Sequence, residues 1–364
     1  MRKRDKIVLV LAVLIGLGFI MSGFSVGLDP RESIKLVMFS MTFPVWIAAM
    51  VVITVVALIV RSKIPLIVLA ACWVIGWYNV CIFSPWNLPK QPKEKDMTLS
   101  LLTYNVFDLN LDDNSADLDY NPTLSSIINS GADIVVVQET ETLDRPRPLL
   151  HTTEAQYDSL FAIYPFHSLS PSKIGILSKY SFENIPIPEQ PSGTASFAAY
   201  RINLPGGKCY LFNVHLQSFR LNTRDREAYM ELTDGEVNRQ ALSKARRSLL
   251  PKVRDALMSH ASEAEMLGKY IDSIAPEGRV IVCGDFNDIP GSYPISYLMK
   301  ECNLKDAFSE GAFGPTYTYH NSRFYFNIDH ILYRDFGRPY FTKRIKVPCS
   351  DHYPVYTIFP LTEE

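Results

Sequence analysis

Six segments of the sequence place polar side chains at the ends of short apolar runs, where a protein core would not select them. They contain Asn105 (LLTYN), Glu139 (IVVVQE), His215 (LFNVH), Asp285 and Asn287 (VIVCGDFN), Asp329 (NIDHIL), and Asp351 with His352 (SDHYPV). A single carboxylate after a strand is typical of a turn or a helix cap. Six such segments in one stretch of chain indicate a functional site.

This set of side chains suits the hydrolysis of phosphoesters. The negative charge of a phosphodiester repels hydroxide, and hard oxygen ligands such as those of Glu139 and Asn105 suit Mg²⁺ or Mn²⁺, which offsets that charge. A carboxylate is needed to orient or deprotonate the attacking water, and imidazoles can donate to phosphoryl oxygens. The sequence contains no GxSxG, GxGxxG, P-loop or HExxH motif, which argues against serine-hydrolase, nucleotide-binding and zinc-hydrolase chemistry.

The elements that must position these residues begin at about Met97. Continuous apolar runs such as DIVVVQ and RVIVC are typical of strands buried on both faces. Eight strands are predicted, over residues 99–104, 133–138, 174–178, 197–202, 209–216, 279–283, 326–332 and 353–359. Helices are predicted over residues 123–130 and within 224–274. Periodicity alone therefore supports a mixed α/β or α+β domain.

The series TYN, QE, NVHLQS, GDFND, IDHIL and SDHYPV, in this order from about Leu99 to Pro360, resembles the endonuclease/exonuclease/phosphatase superfamily. The resemblance implies a four-layered sandwich, with two mainly antiparallel sheets packed face to face between helices. It implies a phosphoester hydrolase, either a nuclease or an enzyme of the sphingomyelinase or inositol-phosphatase type acting on phospholipids or small phosphodiesters. An inactive, membrane-tethered binding module on the same fold is the alternative from a different class.

The same resemblance assigns metal ligands. It implies that Asn105 and Glu139 lie at a Mg²⁺ or Mn²⁺ ion, with Glu139 the main ligand and Asp351 contributing nearby. One or two ions are compatible with these residues.

The resemblance also implies the catalytic roles. Asp285 orients or deprotonates the nucleophilic water, assisted by Asn287, and His215 donates to a phosphate oxygen. His352 lies against the scissile phosphate, and Asp329 holds its ring and stabilises the imidazolium. Either Asp285 or His352 can be the general base.

The remaining histidines and one aromatic segment lie outside these roles. His330 is expected to have no catalytic function, and surface or loop positions are expected for His151, His167, His260 and His320. The segment Phe313–Phe326 (FGPTYTYHNSRFYF) either walls the substrate cleft or forms a packed β-hairpin. The insertions with which repair nucleases grip DNA cannot be identified in this sequence.

The first 83 residues form a predicted transmembrane region, before a linker over 84–96 and a catalytic domain over 97–364. The predicted spans are residues 7–28, 36–60 and 64–83, each free of charged residues and near the roughly 20 residues that a bilayer core requires. The first could instead be a cleaved signal peptide. The linker (SPWNLPKQPKEKD) is expected to hold the domain off the lipid bilayer, and no obligate protein partner is inferred.

Charge differs sharply between the two parts of the chain. Residues 1–96 contain 11 Lys and Arg against 5 Asp and Glu, whereas residues 97–364 contain 25 against 33. An acidic domain lacks the diffuse positive field that draws proteins to nucleic acid, which counts mildly against a DNA or RNA substrate. Together with the membrane region it favours a lipid headgroup or an extracellular phosphoester, whereas the resemblance of the GDFN and SDH motifs to nuclease-like members favours a nucleic acid. The basic N-terminus favours a cytoplasmic start, so three spans predict a multi-pass membrane protein with an extracytoplasmic catalytic domain.

Overall fold

The computed structural model describes residues 2–110, 119–141, 143, 146, 150–169, 173–187, 196–233, 239–321, 324–347 and 349–361. The chain begins with the helices α1 (Lys3–Phe24), α2 (Pro30–Ser40), α3 (Phe43–Val60) and α4 (Lys63–Phe83). Within the described chain, three of these, α1, α3 and α4, are long and apolar enough to cross a membrane.

The second predicted span, residues 36–60, is divided between two helices. The Asp29 side chain accepts the N–H of Arg31 and caps α2, which continues to Ser40. The next helix begins only at Phe43, with a proline in its first turn, where a missing N–H is tolerated. The helix in this window that is long and apolar enough to cross a membrane is therefore shorter than the predicted span, and the first residues of the window belong to a separate short helix.

The part of the chain after Met97 that the structure describes contains six further α-helices, a short 3₁₀ helix over Phe107–Leu109 and twelve strands. The helices are α5 (Pro122–Ile128), α6 (Glu154–Ile163), α7 (Thr223–Thr233), α8 (Arg239–Ile274), α9 (Tyr293–Glu301) and α10 (Ala307–Gly311). The strands are β1 (Thr98–Asn105), β2 (Ile134–Gln138), β3 (Phe166–Leu169), β4 (Ile174–Ser178), β5 (Phe182–Ile185), β6 (Ser196–Leu204), β7 (Gly207–His215), β8 (Arg279–Asp285), β9 (Lys305–Asp306), β10 (Asp329–Arg334), β11 (Phe341–Arg344) and β12 (Val355–Pro360).

These strands form two sheets. The order in one is β11-β12-β1-β2-β4-β3, and in the other β5-β6-β7-β8-β10-β9. Neighbours are antiparallel except for β1 with β2 and β7 with β8, which are parallel. The prediction of two mainly antiparallel sheets is confirmed, and each sheet contains one parallel pair whose two carboxyl ends meet at the same edge.

Apolar cores hold the sheets and helices together in four layers. Leu101, Val136 and Ile281 belong to the core between the two sheets. Leu124 of α5 lies in a second core on the outer face of the first sheet, and Leu267 of α8 lies in a third on the outer face of the second sheet. The four-layered sandwich implied by the resemblance is therefore confirmed.

The predicted linker, residues 84–96, runs along the surface of the catalytic domain. The backbone N–H of Asn87 donates to the carbonyl of Ala312 at 3.0 Å, and that of Lys90 donates to the carbonyl of Tyr340 at 2.9 Å. Backbone bonds of this kind order both partners. The segment is therefore attached to the domain and is not a free spacer.

Candidate active site

The parallel strand pairs bring the predicted site residues to one end of the sandwich. Asn105 is in register with Gln138 where β1 and β2 end, and His215 is in register with Asp285 where β7 and β8 end. Asp329 begins the antiparallel strand β10 and lies opposite Asp285. Both sheets therefore contribute side chains to one cleft.

The close packing of β7 and β8 requires a glycine at position 284, directly before Asp285 in the GDFN motif. Its φ is 144°, and a Cβ built at this position would lie 1.9 Å from the carbonyl oxygen of Val214 on the neighbouring strand. Any side chain would push β7 and β8 apart. The glycine thus allows the two strands to approach closely at the point where His215 and Asp285 enter the site.

Asn105 joins two carboxylates. Its Nδ2 donates to Glu139 Oε1 and to Asp285 Oδ2, both at 3.0 Å, while its Oδ1 accepts the N–H of Phe107 at 3.0 Å. Asn105 was predicted as a metal ligand. In this arrangement its amide oxygen points at the backbone, and the residue instead holds the carboxylates of Glu139 and Asp285 next to each other.

Asn287 fixes the loop after Asp285. Its backbone N–H donates to Asp285 Oδ1 at 2.8 Å, and its side chain donates to the carbonyl of Leu216 at 3.1 Å. Asn287 and Glu139 both have positive φ, 50° and 55°. Such backbone conformations are uncommon outside glycine and often occur at functional sites. The main chain of Asn287 thus holds the Asp285 carboxylate, while its side-chain amide ties two strand ends together.

His215 faces the carboxylate pair. Its Nε2 lies 3.8 Å from Glu139 Oε1 and 3.8 Å from Asp285 Oδ2, too far for a hydrogen bond. Within the described residues this buried nitrogen has no hydrogen-bond partner. An unpaired buried polar atom is costly, so it is suited to donate to a ligand that enters between the carboxylates and the imidazole.

His352 and Asp329 form the closest charged contact in the cleft. His352 Nδ1 lies 2.9 Å from Asp329 Oδ2, and Nε2 lies 3.7 Å from Asp285 Oδ2. Burial alone lowers the pKa of His352, but the charges of Asp329 and Asp285 and the bond from Asp329 outweigh burial and raise this pKa to about 10. The ring therefore carries a proton and points its free N–H at the centre of the site.

Asp351 and Tyr319 border the cleft next to His352. The Asp351 carboxylate accepts from the Asn321 side chain at 3.2 Å. The ring of Tyr319 lies 5.0 Å from that of His352, and the two residues form an isolated β-bridge. The pKa of Tyr319 is raised to about 12. Burial is the largest cause, and the charges of Asp351, Asp285 and Glu139 add to it.

The aromatic segment Phe313–Phe326 combines both of its predicted structures. Tyr319 pairs with Phe326 in the hairpin-like bridge and also borders the cleft through its contact with His352. The residues between them at 322 and 323 lie outside the described part of the chain.

Sequence reasoning missed a second buried histidine behind the cleft. His260, expected at the surface or in a loop, is fully buried on α8. Its Nδ1 lies 3.2 Å from Asp288 Oδ2 and its Nε2 lies 2.6 Å from the carbonyl oxygen of Gln217. Because Gln217 follows His215 and Asp288 follows Asn287, this one ring connects the two loops that carry the site.

Two further buried polar residues join the sheets below the cleft. Gln138 Nε2 donates to Asn213 Oδ1 at 2.7 Å, and Asn213 Nδ2 donates to the carbonyls of Val137 and Gly175 at 3.1 and 2.9 Å. Both side chains are fully buried. Both residues lie inside the motif strings QE and NVHLQS, and their role becomes visible only when the two sheets face each other.

The donor atoms in the cleft fit a divalent cation. Ligand atoms of Asp285, Asp329 and His352 lie within 4.8 Å of one another. His352 Nδ1 is bonded to Asp329. The oxygens of Asp285 and Glu139, both bonded to the Asn105 amide, are therefore the better candidate ligands. Asp329 Oδ1 is buried and has no hydrogen-bond partner among the described residues, and the Glu139 side chain, at 33% exposure, is open to solvent. Several carboxylates sharing a buried site repel one another unless a cation is present, and hard oxygen donors select Mg²⁺ or Mn²⁺.

Two family models match the chain. One, described as the Endonuclease/Exonuclease/phosphatase family, matches residues 102–352. The other, described as a domain of unknown function (DUF8431), matches residues 5–80. No curated protein matches the chain.

Solved structures similar to the chain cover about the same part of it. A humanized D. rerio TDP2 with 14 mutations is 17% identical, over 72% of this chain and 98% of that one, with a TM-score of 0.44. Beta toxin from Staphylococcus aureus with bound magnesium ions is 15% identical over 72% and 99%, with a TM-score of 0.46. Sphingomyelinase C from Streptomyces griseocarneus is 16% identical over 72% and 99%, with a TM-score of 0.45.

Proposed function

We propose that this chain, which belongs to the endonuclease/exonuclease/phosphatase family, is a membrane-anchored phosphoesterase that hydrolyses phosphodiesters with water and a divalent metal ion. The observation that carries the proposal is the pair of carboxylates, Glu139 and Asp285, bridged by Asn105 at 3.0 Å on each side. His352, whose pKa is raised by the neighbouring carboxylates, and the unpaired Nε2 of His215 face the same pair. This combination provides a cation site, a proton acceptor and phosphate donors around one space.

Glu139 is the proposed main metal ligand because its carboxylate is the solvent-open member of the cluster. Mg²⁺ or Mn²⁺ bound there would offset the charge of the phosphoryl group in the transition state. Asp351 keeps its predicted place as a nearby acidic group, since its charge acts on both Tyr319 and His352. Asn105 is proposed to position Glu139 for this role rather than to coordinate the ion with its amide oxygen, which accepts the N–H of Phe107.

Asp285 is the proposed acceptor for the proton of the attacking water. It is held by the Asn105 amide and by the N–H of Asn287, so its orientation is fixed before substrate binds. His352 is held as a donor by Asp329, and His215 offers its unpaired Nε2–H. These two imidazoles would donate to the phosphoryl oxygens as negative charge develops on them.

The helices support membrane anchoring with the catalytic domain outside the cytoplasm. Asp5, near the start of α1, contacts Ser62 between α3 and α4, so the N-terminus and this turn share one end of the bundle. The basic residues at that end are Arg2, Lys3, Arg4, Lys6, Arg61 and Lys63. Such a cluster favours the cytoplasmic side. An alkaline phosphatase fused after Glu364 is expected to be active, and a dead fusion would reverse the orientation.

The metal-dependent activity is tested with the full chain in detergent micelles and bis-p-nitrophenyl phosphate. We expect hydrolysis with Mg²⁺ or Mn²⁺ that EDTA abolishes. Glu139→Gln should lower turnover by about 100-fold or more and weaken Mn²⁺ binding measured by electron paramagnetic resonance. Glu141→Gln is the matched control, since Glu141 is exposed and pairs with Lys173 at 2.9 Å. Full activity in EDTA, or in Glu139→Gln, would disprove the metal assignment.

A further inference from the structure

The loop that follows the catalytic aspartate is packed into the end of the helix bundle. Ile289 is 3% exposed and belongs to the same apolar cluster as Phe19 of α1, Phe43 of α3 and Phe83 of α4. Gly291 lies so close to the bundle that an added Cβ would be 3.0 Å from Ile82. The catalytic domain and the membrane helices therefore share one core at this loop.

A polar contact fixes the same interface at its rim. Arg31 on α2 is bonded to Glu265 of α8 and, at 3.1 Å, to the hydroxyl of Tyr293 on α9. That hydroxyl in turn donates to Glu265 at 2.8 Å. Because α8 and α9 form the outer layer of the second sheet, the bundle is held against the body of the domain as well as against one loop.

A second border of the cleft also reaches the bundle. Phe326 packs against the apolar cluster of the helices and pairs with Tyr319, whose ring borders His352. Ile289 lies four positions after Asp285 in the chain, and an extended chain of four steps spans at most about 14 Å. The interfacial layer on each side of a bilayer core is itself several ångströms thick. The catalytic groups therefore lie within a short distance of the plane of the lipid headgroups.

The catalytic domain contributes one residue to an exposed aromatic belt at the end of α4. The ring of Trp86 lies 6.3 Å from that of Trp77 and 6.0 Å from that of Phe313, and the three residues are 65%, 49% and 56% exposed. The N–H of Gly314 donates to the carbonyl of Pro85 at 2.7 Å, which fixes this arrangement. Exposed tryptophans that continue from a membrane helix are typical of the bilayer interface.

We infer that the substrate is a phosphoester in the headgroup of a membrane lipid, taken from the leaflet on which the catalytic domain lies. This inference rests on the proposed phosphoesterase activity. The loop at Ile289 and the belt at Phe313 hold the domain flat on that leaflet, so the cleft opens beside the headgroups. A lipid reaches the cleft by lateral diffusion in the membrane. The domain therefore does not need a positively charged surface to attract its substrate, and it is in fact acidic, with 33 Asp and Glu against 25 Lys and Arg.

The membrane contact is tested with p-benzoylphenylalanine placed at position 313 or 166 of the full chain in phosphatidylcholine vesicles. Phe166 is a matched control because its side chain is also exposed, at 41%, but lies on β3. β3 is one edge strand of the first sheet, and β11, the strand that α10 contacts, is the opposite edge strand. Irradiation should crosslink lipid at position 313 at least tenfold more than at position 166. Equal crosslinking at the two positions would overturn the seating of the domain on the bilayer.

The substrate is tested by reconstituting the full chain in vesicles of phosphatidylethanolamine, phosphatidylglycerol and sphingomyelin. Each lipid carries a labelled headgroup, and bis-p-nitrophenyl phosphate and a single-stranded oligodeoxynucleotide are assayed in parallel. We expect metal-dependent release of a headgroup, about tenfold slower in Phe313→Asp and unchanged in Phe166→Asp, while both variants hydrolyse bis-p-nitrophenyl phosphate at the normal rate.

The outcomes separate the two proposals. If bis-p-nitrophenyl phosphate is hydrolysed and no lipid is, or if the oligonucleotide is strongly preferred, the lipid inference fails and the phosphoesterase proposal stands. Equal lipid hydrolysis by Phe313→Asp and Phe166→Asp would also overturn the inference. If none of the three substrate classes is hydrolysed with Mg²⁺ or Mn²⁺, the phosphoesterase proposal itself fails.

Discussion

Among the residues that the structure describes, two buried histidines are hydrogen-bonded to aspartates, and they differ in what their second ring nitrogen meets. His352 Nδ1 lies 2.9 Å from Asp329, and His260 Nδ1 lies 3.2 Å from Asp288. The Nε2 of His260 is bonded to a backbone carbonyl at 2.6 Å. The Nε2 of His352 faces the Asp285 carboxylate at 3.7 Å, beyond hydrogen-bonding distance.

We propose that this difference distinguishes a pair that takes part in catalysis from a pair that only positions loops. A histidine can donate to substrate only if one nitrogen is held and the other is free to point into the cleft. Both nitrogens of His260 are occupied, so its ring can only hold the loops that carry Gln217 and Asp288. The same residue types at nearly the same distance therefore serve chemistry in one place and loop geometry in the other.

The largest expected effect comes from removing the free nitrogen. His352→Ala should lower turnover by about 10²–10⁴-fold, because a proton donor to the phosphoryl group is lost. Asp329→Asn should cost less, on the order of 10–100-fold, because the ring is still present but its orientation and charge are no longer fixed. Since the two residues act as one unit, the double variant should be little worse than His352→Ala alone.

Turnover per folded molecule and melting temperature, measured on the same four proteins, check this prediction. If Asp329 were only a turn residue after a buried strand, Asp329→Asn would lower the melting temperature and leave turnover unchanged. Losses that simply multiply in the double variant would also separate the two residues and remove the pair from the mechanism.

A smaller effect of a different kind is expected at the second pair. His260→Gln should destabilise the protein by about 1–3 kcal/mol, because Asp288 or the Gln217 carbonyl is left buried without a partner. For a domain of this size the melting temperature should fall by about 2–10 °C. Turnover per folded molecule should fall less than tenfold.

The control for this change is His167→Gln, at an exposed position on β3. A surface substitution of this kind is expected to alter stability by less than about 0.5 kcal/mol. If His260→Gln melted like the wild type but lost activity as severely as His352→Ala, the proposed distinction between the two pairs would be wrong.

The smallest expected effect is the pH dependence of the second pair. Burial lowers the pKa of His260, but the bond and charge of Asp288, the Gln217 carbonyl and the charge of Glu263 together raise it above its ordinary value. A raised folded-state pKa gives stabilisation that is complete below about pH 6.5 and is lost as the pH rises through the folded-state pKa. The difference in melting temperature between wild type and His260→Gln should therefore be largest below pH 6.5 and should narrow above it. A gap that widens with pH would contradict the charged state of this ring.

The predicted strands and the missed strands differ by their place in the sheets. The missed strands, β3, β5, β9 and β11, are the edge strands of the two sheets. Their sequences, FHSL, FENI, KD and FTKR, contain no continuous apolar run. An edge strand pairs on one side and is partly solvated, so its pattern is weak. The central strands are buried on both faces, and their continuous apolar runs allowed them to be predicted from the sequence.

In the site, too, only residues marked by a local sequence pattern could be predicted. Asn105, Glu139, His215 and Asp285 could be found because each ends a buried strand, where a polar side chain is unexpected. His260 lies within the long helix α8, 43 residues from Gln217 in sequence, and has no local pattern that marks it. Its role depends on the packing of α8 against two strand ends, which is tertiary information. The loop at Ile289 was missed for the same reason, since an isoleucine after GDFND is unremarkable until the bundle lies beside it.

The pairing of β1 with β12 sets the order in which this protein can become active. Thr98 is in register with Pro360, so β1 can pair with β12 only after about 260 further residues have been synthesised. At typical synthesis rates of about 5–20 residues per second, that takes roughly 13–50 s. During this time the four N-terminal helices have already left the ribosome, while β1 can pair with β2 but lacks its other neighbour β12, and His352 is not yet made. If the helices anchor the chain as proposed, it is fixed at its membrane before the proposed active site is complete.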